Sequence, residues 1–118
     1  AADTDFTAKL VDVYPCGYAR NVVDGIVRAR FRRGTHEERP LMPGEIEEYP
    51  LDLGPTSNVF LAGHRLRLEI SSSNFPRFER NPNTWRAVTS EQEMVAAKQT
   101  IYHDAQHPSH IVLPIIPA

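Results

Sequence analysis

Three histidines and a carboxylate stand within eight residues near the C-terminus: His103, Asp104, His107 and His110. Imidazoles and a carboxylate at short spacing are the donor set of a zinc site. His103 and His107 share a face only on a helix, however, and Pro108 stops a helix just beyond them. The segment reads as a loop between two strands, and no metal is assigned to it. Nucleophilic catalysis asks for a Ser or Cys beside a His that a carboxylate orients. Ser71, Ser72 and Ser73 are consecutive, but no Gly-x-Ser-x-Gly elbow surrounds them and no strand-turn-helix unit holds them. Their hydroxyls read as partners for backbone groups at a strand end. Cys16 sits in a turn between Pro15 and Gly17, with no basic neighbour in sequence to lower its pKa. No residue is assigned a catalytic role, and no cofactor is expected.

Two further groupings bear on binding. Arg28, Arg30, Arg32, Arg33, Arg65 and Arg67 would form a basic face if their strands shared a sheet, and such a face suits an anionic ligand. Acids outnumber bases 15 to 13, so the preferred reading pairs these arginines across strands with Glu45, Glu47, Glu48 and Glu69. The formal net charge of -2 also argues against a dedicated nucleic-acid binder. The second grouping is the segment 73–85, which places Phe75, Phe78 and Trp85 among Asn, Pro and Arg. A long irregular loop with three rings suits either a carbohydrate-stacking platform or an interface with another domain. Its Asn and Pro content favours a fixed loop, and so the interface.

The elements that must position these residues follow a period of two. In residues 26–32, Val27, Ala29 and Phe31 alternate with Arg28, Arg30 and Arg32; in residues 65–70, Leu66, Leu68 and Ile70 alternate with Arg65, Arg67 and Glu69. Both read as half-buried antiparallel strands. Residues 5–14 carry apolar groups on both sides, which means burial on two faces or a bulge. Further strands are expected at 45–53, where Pro50 points to an edge, and at 94–102 and 110–116. Turns are expected at 14–17, 24–25, 39–44, 54–58 and 81–84. A competing short helix would be capped by Ser90 and run through Ala97. Ten prolines in 118 residues, with 41% apolar content, suit one all-β sandwich or barrel. The single Cys excludes an internal disulfide. The sequence shows neither a membrane span nor a signal peptide, and a cytoplasmic location is the expectation.

Several stretches together resemble one family. They are residues 3–15 (DTDFTAKLVDVYP), 24–32 (DGIVRARFR), 55–60 (PTSNVF), 63–65 (GHR), 71–78 (SSSNFPRF) and 107–114 (HPSHIVLP). In this order they are similar to the C-terminal non-catalytic domain of the X-prolyl dipeptidyl-peptidase-like hydrolases, which include cocaine esterase-like and α-amino-acid ester hydrolases. The resemblance implies a jelly-roll-like (galactose-binding-like) β-sandwich, here residues 1–118, lacking its first strands and packed beside an α/β-hydrolase domain that carries the catalytic triad. It implies a module that supports that catalytic domain and shapes one wall of the substrate entrance. Asn74, Phe75, Arg77, Phe78 and Trp85 are the expected interface or rim residues. Trp85 stands where the family usually has Gly, and Cys16 where it usually has Asp. The alternative is a carbohydrate-binding jelly roll using loop 74–85. An edge left open by missing strands would also favour homo-oligomers or strand swapping.

Overall fold

The computed structural model describes residues 1–86 and 93–117. Strands β1 (Asp5–Val13), β2 (Ala19–Arg28) and β3 (Arg65–Ser71) form one antiparallel sheet in the order β2-β1-β3. β1 is the middle strand, so both of its backbone edges are paired. Its side chains are buried on both faces, with Ala8 and Leu10 on one and Val11 and Val13 on the other. The bulge is present as well. Leu10 lies opposite Val23 while Val11 lies opposite Asn21, so Val22 is an extra residue in β2. The turn from β1 to β2 is closed by hydrogen bonds from the Tyr14 N–H to the Tyr18 carbonyl (2.8 Å) and from the Gly17 N–H to the Tyr14 carbonyl (2.9 Å). Cys16 is exposed at its tip.

The second strand differs from its sequence reading at both ends. Asp24 and Gly25, expected in a turn, lie inside β2 opposite Lys9 and Ala8. Gly25 serves a close approach: a Cβ there would stand 2.6 Å from the Asp52 carbonyl oxygen and 3.0 Å from Leu51. Gly25→Ala must therefore push the 51–52 segment off the sheet, at an expected cost of about 1–3 kcal/mol. A fall in the urea midpoint checks this, and an unchanged midpoint contradicts it. At the other end the strand stops at Arg28, and Ala29–Phe31 form a 3-10 turn, the only helical element among the described residues. The alternation through Phe31 misled because Arg30 turns inward to a carboxylate instead of outward to water.

The expected strands at 45–53, 94–102 and 110–116 keep their alternation without joining the sheet. Tyr49, Leu51 and Leu53 are half-buried between exposed neighbours, as are Ala97, Gln99 and Ile101, and Ile111 and Leu113. None of the three segments is assigned as a strand. Tyr49 packs its ring on Phe6 at 4.6 Å, and burial pushes its phenol pKa up. Ser90 lies outside the described residues, and residues 93–97 are not helical. The all-β class holds, and a three-stranded antiparallel sheet with no α-helix among the described residues is consistent with a β-sandwich. No helix among the described residues is long and apolar enough to cross a membrane.

Candidate functional site

The aromatic loop leaves the sheet at the end of β3 and is tied down at two places. At the first, Asp24 of β2 accepts hydrogen bonds from Arg77 Nε (2.7 Å) and Asn74 Nδ2 (3.0 Å). Asp24 is largely buried, so this contact fixes the loop's outer turn over the middle of β2. At the second, Asn81 is buried and donates from Nδ2 to both Asp3 (3.0 Å) and Asp5 (2.9 Å). Its Oδ1 accepts the Asn83 N–H at 2.9 Å, closing a turn in which Asn83 takes the left-handed φ of 65°.

The second anchor belongs to a larger buried network. Asp5 stands directly opposite Arg28 and receives two hydrogen bonds from it, Nε to Oδ1 at 2.8 Å and Nη2 to Oδ2 at 3.0 Å. The hydrogen bond to Asp5 holds the Arg28 pKa above its ordinary value against the opposing effect of burial. Asp3 receives the backbone N–H of Arg30 (2.9 Å) and its Nε (2.8 Å). Arg30 then reaches the loop: Nη2 donates to the carbonyls of Thr84 and Arg86, both at 3.1 Å, and the guanidinium lies 4.7 Å from the Trp85 ring centroid. Gln99 completes the network, donating to Thr4 Oγ1 at 2.9 Å and to the Asp5 carbonyl at 2.8 Å.

These contacts sort the five expected interface residues. Asn74 and Arg77 hold the loop to the sheet through Asp24, although the Arg77 side chain stays 60% exposed. Phe78 is half-buried beneath the Arg77 guanidinium at 5.2 Å. Phe75 is 63% exposed with Arg80 lying 5.5 Å from its ring, and Trp85 is 40% exposed beside Arg30. The anchors Asp3, Asp5, Asp24 and Asn81 were missed as site residues. Aspartates in an alternating strand give no sign of a partner some 50 to 80 residues away.

The basic face does not form as a ligand surface. Arg32 pairs with Glu47 at 3.2 Å and Arg67 with Glu69 of its own strand at 3.3 Å, while Arg28 takes Asp5 and Arg30 takes Asp3, both at 2.8 Å, with Glu38 3.8 Å from Arg30. The histidine-rich segment is a tight turn. Asp104 Oδ1 accepts the His107 N–H (2.6 Å) and the Gln106 N–H (3.1 Å), and His103 bridges to Pro108. Hydrogen bonding, chiefly from the His107 N–H, holds the Asp104 pKa below its ordinary value. Among the described residues no three of His, Cys, Asp and Glu are grouped to hold a metal.

Nor is a nucleophile set against a base. His64 Nδ1 and Asp12 Oδ1 are 2.8 Å apart, both side chains are buried, and the imidazole packs on Tyr14 at 4.3 Å. Among the described residues no serine hydroxyl or cysteine thiol hydrogen-bonds a histidine ring. The serine run instead serves the strand end, where Thr7 Oγ1 donates to the Ser71 carbonyl at 3.2 Å and the Ser73 N–H reaches Ser71 Oγ at 3.4 Å.

Known proteins carry the same domain. Cocaine esterase of Rhodococcus sp. (strain MB1 Bresler) is 52% identical over 118 residues, which is 98% of this chain and 21% of that protein. A putative serine esterase of Mycobacterium bovis is 29% identical over 98% of the chain and 19% of its own length. The chain thus spans about a fifth of these relatives. Among solved structures, an α-amino acid ester hydrolase superposes with a TM-score of 0.66 at 33% identity, covering 73% of this chain and 16% of that one. An aminopeptidase from a Thaumarchaeota archaeon of marine sediment gives 0.64 at 35% identity, over 73% and 16%. Residues 1–112 match the family model of the X-Pro dipeptidyl-peptidase C-terminal non-catalytic domain, and the chain belongs to that family.

Proposed function

We propose that residues 1–118 are the distal part of the non-catalytic β-sandwich of a larger serine hydrolase, and that the loop 74–85 packs against its α/β-hydrolase domain and forms one wall of the substrate entrance. The observation that carries this reading is a loop clamped at both ends to buried carboxylates while Phe75 and Trp85 stay exposed. A rigid apolar projection of this kind is suited to packing on a neighbour, since its ordering cost is met before contact. The surface area supports the same reading. The chain exposes 8764 Å², against about 6450 Å² for a folded monomer of its mass. Part of the excess is the apolar row of β3, Leu66, Leu68 and Ile70, exposed by 53%, 39% and 41%. Such a row is a surface for covering by another domain.

Each ring of the loop has an arginine over one face, so a sugar would have to stack on the opposite face or displace the guanidinium. Chemistry is assigned to the rest of the hydrolase. The chain alone is expected not to hydrolyse nitrophenyl acetate. In the full-length hydrolase, burial of a phenyl ring at a domain contact is worth ~1.5–3 kcal/mol, so Phe75→Ala is expected to lower the thermal midpoint and raise KM. Unchanged melting together with unchanged kinetics overturns the docking of this loop.

A further inference from the structure

We infer that the loop recognises an acidic segment of the hydrolase chain outside residues 1–118, with Arg80 as the residue that meets its carboxylate. This rests on the docking just proposed and names the chemistry of the surface that the loop meets.

Charge is unevenly placed in the chain. Residues 73–86 hold three arginines, Arg77, Arg80 and Arg86, against one acid, Glu79, a net +2. The whole chain has a formal net charge of -2, so the remainder carries -4. Within that stretch Arg77 is paired with Asp24 and Glu79 lies within coulombic reach of Arg28, so Arg80 is a cation left without an ion pair among the described residues, beside the exposed Phe75 ring. A surface that combines apolar rings and cations complements one that combines apolar groups and carboxylates.

The arginines of the loop are not equivalent. Arg30 is committed to Asp3 and to the loop backbone, and Arg77 to Asp24. Arg80 is exposed and makes no ion pair among the described residues; its recorded contact is with the face of Phe75. The Arg80 guanidinium carbon stands 5.5 Å from the Phe75 centroid, and no hydrogen bond among the described residues occupies its five N–H donors. Those donors are available to a carboxylate beside the ring, and contact with the ring limits the rotamer freedom that a free arginine would lose on binding. Relatives about five times as long as this chain provide ample further sequence for such a segment.

The test uses the full-length hydrolase. Arg80→Lys introduces an amine that a zero-length carbodiimide joins to a carboxylate in contact with it. The expected result is an amide cross-link from position 80 to an Asp or Glu outside residues 1–118, absent from Arg80→Gln and weakened in 1 M salt, where the screening length falls to about 3 Å. A cross-link confined to Glu79, or one joining two copies of the chain, overturns the proposal. In parallel, amide exchange at residues 77–80 is expected to rise at least about tenfold in Arg80→Glu, as when a hydrogen bond between charged groups is lost. If Phe75→Ala raises exchange but Arg80→Glu does not, the loop docks and the acidic partner is wrong. If neither raises it, the docking itself is wrong.

Discussion

Asp3→Ala is expected to remove about 3–5 kcal/mol of folding stability, the usual cost of stripping one partner from a buried ion pair. Asp3 is fully buried and accepts three hydrogen bonds, two from Arg30 and one from Asn81. Its loss leaves a guanidinium with 9% side-chain exposure facing only the more exposed Glu38, 3.8 Å away, and frees one donor of Asn81. The effect should spread to the loop, because the same Arg30 holds the carbonyls of Thr84 and Arg86. The chain has a single tryptophan, and it is the ring against which Arg30 lies. Urea denaturation read by Trp85 fluorescence therefore reports global unfolding and local release together. A red-shifted emission before any denaturant is added, with a lowered midpoint, is the expected result. A loss below about 1 kcal/mol, the scale of an ordinary surface pair, would show that the network is not what holds the loop. Combining Asp3→Ala with Arg30→Met should restore part of the loss, since no unpaired charge then remains buried.

The second large effect is expected at Leu10. It is 3% exposed on the middle strand, and Leu10→Ala should cost about 2–5 kcal/mol. Its partner across the sheet, Leu68, lies on the same face but is 39% exposed. Leu68→Ala should accordingly cost well under half as much in the chain alone. The contrast is informative in the full-length hydrolase. If another domain covers β3, the Leu68 cost should rise toward that of Leu10, while the Leu10 cost stays where it was. Denaturation of both variants in both contexts measures this. Equal Leu68 costs in the two contexts would mean that β3 remains uncovered.

How far these features could be read from sequence depended on their range along the chain. β1 and β3 were legible because their patterns are local. β1 carries apolar residues on both sides, as a middle strand buried on two faces requires. β3 alternates apolar with charged residues, although all seven of its residues are exposed and not half-buried as expected. β2 was not, for two reasons. Asp24-Gly25 has the composition of a turn, yet Gly25 stands in the strand to admit the Asp52 backbone. Arg28, Arg30 and Arg32 continue the alternation across a point where the backbone has already curled into the 3-10 turn. The aromatic loop was visible from its unusual residues, but its anchors were not. Asn81 meets Asp3 and Asp5 across 78 and 76 residues, and nothing local marks an asparagine as buried between two carboxylates. The arginine face failed in the same way: pairing was the right expectation, but the partners of Arg28 and Arg30 come from β1 and the residues just before it.

The Asp3, Asp5, Arg28 and Arg30 cluster has a consequence at longer distance. Two positive and two negative groups are interleaved within hydrogen-bonding reach, so their far fields largely cancel and the cluster acts as a higher multipole. Its effect is confined to its own contacts, where mobile ions scarcely penetrate. The exposed charge of Arg80 has the opposite character, reaching outward and open to screening. Ionic strength thus separates two properties of the chain, leaving the grip of the sheet on its loop nearly untouched while weakening the pull of the loop's outer face on an oppositely charged surface.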